Sequence, residues 1–150
     1  MGNRLRGDDG AGCRLADMLN GKTSWVCLDG GVTPENMVSE IARLSPRGIL
    51  LVDAVHLGMP AGTLEWLDPA QVASLGAGTH HLPMELLIQF LTERTGSEVR
   101  LLGIQPAQTR FGCGLSPPVR SALLQITQLL FQLSAELPEP ETRPNSSTLK

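Results

Sequence analysis

The sequence contains no tyrosine, and aromatic residues make up only 3% of it. A surface that stacks nucleic-acid bases needs several exposed rings, so such a surface is excluded. Lysine is almost absent as well: only Lys22 and Lys150 are lysines, and the arginines are scattered along the chain. With a net charge of −3 there is no basic stripe to track a phosphate backbone, and no nucleic-acid partner is expected. The three cysteines, Cys13, Cys27 and Cys113, share no CxxC spacing. That excludes a disulfide framework and a four-cysteine zinc site, and it fits a reducing, cytoplasmic compartment. Apolar runs such as Gly48–Val52 are short against the roughly 20 residues that span a bilayer, so no membrane association is expected. No basic start with an apolar core marks a secretory signal. HExxH, GxSxG, GxGxxG and the phosphate-loop pattern are all missing, which removes the familiar zinc-protease, serine-hydrolase and nucleotide-binding signatures.

What is present is a chain of 150 residues, 41% hydrophobic and 18% charged. That suits one folded domain with a core of Leu, Ile, Val and Ala. Ala11, Leu15, Met18 and Leu19 share one helical face, and Asn20-Gly21 stops that helix. Ser24–Leu28 reads as a short strand. Pro34–Arg43 reads as a helix opened by proline. Gly48–Val52 is continuously apolar, as in a strand buried on both faces. Thr63–Leu67 is a further strand. Met84, Leu87, Ile88 and Leu91 stripe a helix over Pro83–Thr95, and Glu98–Ile104 is a strand. Val119, Leu123, Ile126, Leu130 and Leu133 stripe the last helix. Strands alternating with helices imply an α/β fold, a three-layer sandwich around a mostly parallel twisted sheet. The domain is expected over residues 1–136. Residues 137–150, with three prolines and no periodicity, are expected to form a disordered tail.

In open α/β sheets, ligands bind beyond the carboxyl ends of the strands. Three polar clusters fall there. Asp8 and Asp9 lie in Gly7-Asp-Asp-Gly10 before the first helix, Asp53 closes the apolar strand, and His80-His81 precede the Pro83 helix. Two carboxylates and an imidazole make a three-ligand set for a borderline divalent metal. Each residue also has a plainer reading. Asp beside glycine usually caps or turns, which is the stronger reading for Asp8. A carboxylate closing an apolar strand is costly unless paired or bound, which favours a role for Asp53. His56 reads as a structural or solvated loop residue rather than a ligand. Cys113, between two glycines, has no motif that gives it a basic partner.

Together, Gly2-Asn3 with Gly7-Asp-Asp-Gly-Ala-Gly12, Asp29-Gly-Gly-x-x-Pro-Glu-Asn36, Leu51-Val-Asp-Ala54, Thr79-His80 with Pro83, and Leu102-Gly-Ile-Gln-Pro106 resemble the [NiFe]-hydrogenase maturation endopeptidases. The DGG-x-x-PEN and GIQP stretches look most like the branch that processes the large subunit of the formate hydrogenlyase hydrogenase. The resemblance runs from Gly2 to about Leu133. It implies an enzyme that removes a C-terminal extension from the [NiFe]-hydrogenase large-subunit precursor after nickel insertion. By that resemblance the metal-reading, catalytic residues are Asp9, Asp53 and His80, with Asp8 and His81 as supporting candidates. The nickel is supplied by the substrate, or another divalent metal rests in the site. The partner is the precursor, and the enzyme is expected to act as a monomer, aspartic-type by family convention.

The family opens on a hydrophobic strand ending in Val-Gly-Asn, whereas this chain opens on Met1-Gly2-Asn3. The first strand is therefore expected to be missing, as a GTG valine codon read as a start would explain. A chain expressed from Met1 is expected to fold only marginally. Three rivals differ in class. A hydrolase with its own bound metal would keep that metal without the precursor. A nickel-checking chaperone would bind the precursor without cutting it. A receiver domain would need a lysine at a later strand end, and neither Lys22 nor Lys150 is placed for it.

Overall fold

The computed structural model describes residues 1–68, 71 and 83–136. A 3-10 turn at Gly7–Gly10 leads into α1 (Ala11–Leu19), and another at Pro34–Met37 leads into α2 (Val38–Leu44). Then come β1 (Gly48–Ala54), β2 (Leu64–Leu67), α3 (Met84–Thr95), β3 (Glu98–Ile104) and α4 (Pro117–Glu136). His80 and His81 lie outside the described residues, as does the stretch 137–150.

Among the described residues the sheet has three strands in the order β1-β3-β2. β1 and β3 run parallel, with Leu51 opposite Leu101 and Asp53 opposite Gly103. β2 runs antiparallel to β3, with Leu64 opposite Ile104. The central pair is thus parallel, and the short Leu64–Leu67 strand forms an antiparallel edge. A parallel connection needs a dozen or more residues, usually a helix, and the loop between β1 and β2 carries none.

Side chains alternate across the two central strands and feed two cores. Leu51 and Leu101 pack with Leu67, Leu87 and Leu91 on the face covered by α3, with Val38 and Ile41 of α2 at its edge. Val52, Leu102 and Ile104 pack with Leu15 of α1 and with Val119, Leu123 and Ile126 of α4 on the other face. Helices cover both faces, which is the three-layer arrangement expected.

The strand expected at Ser24–Leu28 does not form. Apolar, extended sequence becomes a strand only where a neighbour supplies a hydrogen-bonding ladder. No ladder reaches this segment among the described residues, and Val26 is 66% exposed. The bonds that do form lie farther along. The Met1 ammonium donates to the Val52 carbonyl oxygen at 2.8 Å, and the Gly2 N–H donates to the Gly31 oxygen at 2.9 Å. The first two residues therefore bridge the carboxyl half of β1 and the loop at Asp29–Gly31.

Candidate active site

The bridge made by Met1 and Gly2 is what assembles the acidic edge of the sheet. Gly2 has φ +114°, a conformation that suits glycine. A Cβ there would overlap the Asp9 carbonyl oxygen and come within 3.5 Å of Asp53 Oδ1. The 3-10 turn that carries Asp9 and the strand end that carries Asp53 thus converge on one residue without a side chain. Gly12 serves the same closeness from α1, since a Cβ on it would overlap the Val52 oxygen and the Met1 nitrogen.

Asp9 and Asp53 are both buried. Asp9 Oδ2 accepts the Asn3 N–H at 2.9 Å, while Asn3 Oδ1 accepts the Leu5 N–H at 2.9 Å and shapes the turn. Asp8 faces the other way. Its carboxylate accepts the N–H groups of Ala107 (2.9 Å), Gln108 (3.0 Å) and Ser116 (2.6 Å). Its own N–H donates to the Gln108 oxygen at 3.0 Å. Asp8 is therefore a structural clamp holding the loop after β3, in line with its capping reading.

Four residues to which the sequence alone assigns no chemical role, Arg4, Cys13, Asp29 and Gln105, support this edge. The Arg4 guanidinium bridges Asp17 of α1 and Asp29, each at 2.6 Å. Its hydrogen bonds to the Asp17 and Asp29 carboxylates raise its pKa above the ordinary arginine range. Burial opposes ionisation of Asp29, but Cys13, Arg4 and the Gly31 N–H outweigh it and hold the carboxyl at about 2. Burial, with Asp29 nearby, pushes the Cys13 thiol up to about 11. Cys13 stays protonated and donates to the Gly2 oxygen. Gln105 of the GIQP stretch accepts the N–H of Leu57 at 2.6 Å and donates to the Pro106 oxygen at 3.0 Å. It pins the loop that follows Asp53. A motif of fixed residues marked Gln105 and Asp29, whereas nothing local in the sequence marked Arg4.

His56 is exposed, as expected. Cys113 is half-buried and its thiol makes no hydrogen bond among the described residues, so no basic partner activates it there. Of the three residues singled out for metal reading, two meet at Gly2, and the third, His80, lies outside the described residues. Two buried carboxylates, one on the 3-10 turn and one at the end of β1, can supply oxygen ligands to a borderline divalent cation, or accept a proton from water.

Comparison with known proteins agrees with this architecture. The family model described as hydrogenase maturation protease (HycI) matches residues 12–133. The hydrogenase 3 maturation protease of Escherichia coli K12 is 38% identical over 133 residues, covering 87% of this chain and 85% of that protein. The crystal structure of a [NiFe] hydrogenase maturation protease HycI from Thermococcus kodakarensis superposes with a TM-score of 0.82 at 29% identity, over 90% of this chain and 88% of that one. The solution structure of the endopeptidase HycI from Escherichia coli superposes with a TM-score of 0.78 at 38% identity, over 87% and 85%. This chain belongs to the HycI family of hydrogenase maturation proteases.

Proposed function

We propose that this protease cuts the C-terminal extension from a [NiFe]-hydrogenase large-subunit precursor of the formate hydrogenlyase type, and that it does so only after nickel has been inserted. The observation that carries the reading is the meeting of the Asp9 turn and Asp53 at Gly2, in a chain of a hydrogenase maturation protease family. In this reading Asp9, Asp53 and His80 are the catalytic, metal-reading residues.

The nickel arrives as part of the substrate, held by the precursor's own cysteines. Bound there, it supplies Lewis acidity to the scissile carbonyl or to an attacking water. The role of this chain's residues is to ligate that ion and to move a proton. Water adds to the carbonyl carbon and the peptide C–N bond breaks. Asp9 or Asp53 takes the proton from the water and returns it to the leaving amine. In this sense the activity is aspartic-type and metal-dependent. The enzyme acts as a monomer in the cytoplasm. Among the described residues no helix is long and apolar enough to cross a membrane. A chaperone that checks nickel without cutting is disfavoured, because the relatives are proteases. A hydrolase that keeps its own metal is not favoured by any feature of the site.

The test is cleavage of nickel-loaded precursor by Asp53→Ala and His80→Ala, with circular dichroism to confirm folding. Both variants should fold and fail to cut. Normal processing by either one would remove metal reading by that residue.

A further inference from the structure

The loops that build the acidic edge also expose two large apolar side chains, Leu5 (60% exposed) and Phe111 (74%). Both are held in place. Arg110–Cys113 is a turn closed by the Cys113 N–H on the Arg110 oxygen. Gly112 carries φ +77° at the third position, as such turns require, and this leaves Phe111 at the tip. The Gly112 N–H donates to the Leu5 oxygen at 2.8 Å, tying the tip to the strap between Asn3 and the Asp9 turn. Arg6 and Arg110 flank the pair, are both exposed, and make no ion pair among the described residues. Among the described residues the Arg110 guanidinium makes one hydrogen bond, a long one to Gln108 Oε1 at 3.4 Å.

A turn that exposes Phe111 next to Arg110, tied by a backbone hydrogen bond to a segment that exposes Leu5 next to Arg6, on a chain of net charge −3, has the features of a recognition surface. Resting on the function proposed above, we propose that Leu5 and Phe111, with Arg6 and Arg110, form the docking surface for the precursor. They would take a segment that offers an apolar pocket flanked by carboxylates, beside the site of cleavage. Arg6 and Arg110, exposed and without an ion pair among the described residues, call for an acidic occupant. A second copy meeting through the same patch would bring Arg6 and Arg110 against their own counterparts, which opposes a symmetric dimer. The patch is also continuous with the site. Asn3, two residues before Leu5, donates to Asp9, and the loop that carries Phe111 is clamped by Asp8.

The test uses the full-length, nickel-loaded cognate precursor with three proteins: the wild type, a Leu5→Ser/Phe111→Ser variant and an Arg6→Glu/Arg110→Glu variant. Thermal melting should match the wild type, because all four side chains are exposed. KM for cleavage should rise on the order of tenfold in each variant with kcat retained. The charge reversal should also flatten or invert the salt dependence of KM. A KM within about twofold of wild type in both variants overturns the proposal while leaving the protease function intact. Wild-type self-association in sedimentation that is lost in the Leu5→Ser/Phe111→Ser variant overturns it in favour of a second copy. If the wild type does not cut the precursor at all, the underlying function fails, and the docking surface fails with it.

Discussion

The Asn3 N–H donates to Asp9 Oδ2 at 2.9 Å, so the strap at the start of the chain, which turns at Asn3–Arg6, helps aim the Asp9 carboxylate. The same strap lays Gly2 against Asp53 and anchors Arg4 on Asp17 and Asp29. The acidic edge is therefore held from outside its own turn, by main-chain groups and one guanidinium.

Gly2→Ala should be among the most damaging small substitutions in the chain. The left-handed conformation and the overlap with the Asp9 carbonyl act together, and strain of this kind costs about 1–3 kcal/mol before any clash is counted. Denaturant titration should show a stability loss of at least that size, and processing should fall with it. A variant as stable and as active as the wild type would mean that Asp9 and Asp53 do not depend on this close approach.

Asp8→Ala and Asp53→Ala should fail for different reasons. Removing the Asp8 carboxylate releases the N–H groups of Ala107, Gln108 and Ser116, and the buried Ser116 donor left without a partner costs about 1–3 kcal/mol. Asp8→Ala is expected to melt early or aggregate. Asp53→Ala changes a side chain at the site edge without opening either apolar core, so it should lose little stability, and it abolishes cutting. Comparing melting points with cleavage of the precursor separates the two. Equal melting points for the two variants would contradict the clamp role of Asp8.

How much of this was legible in the sequence differs from element to element. Glu98–Ile104 was read to the residue, because its apolar pattern and flanking polar residues are local. The Leu15 and Leu123 stripes likewise announced helices that cover one face of the sheet. Ser24–Leu28 looked equally like a strand but is none, because a strand depends on a neighbour that local sequence does not reveal. Of the acidic pair in Gly7–Gly10, the capping reading of Asp8 matches the backbone N–H groups its carboxylate holds. What stayed hidden was the partner of Asp8, about a hundred residues away, and the whole Arg4 pairing, which rests on contacts to Asp17 and Asp29 that no motif encodes.

Acid should weaken the fold through Asp29. Its carboxyl is held at about 2, against about 3.9 for an unperturbed aspartate. A depressed folded-state value contributes stability that is present above about pH 4 and is lost as the pH falls towards about 2. Asp17 is shifted in the same direction by Arg4. Both side chains are at least a third exposed, so solvent screening keeps the combined effect to about 1 kcal/mol or less. Melting curves taken from pH 5 down to pH 2.5 should fall more steeply for the wild type than for Arg4→Met. Parallel curves would show that the Arg4 cluster adds no pH-dependent stability.

The most direct test of nickel-gated processing is the mass of the precursor's C-terminus after incubation with this protein, once with the precursor loaded with nickel and once with it metal-free. The expected result is a single shortened product from the nickel-loaded precursor and intact metal-free precursor at equal enzyme and time. Shortening of both at the same rate, or of neither, would contradict it.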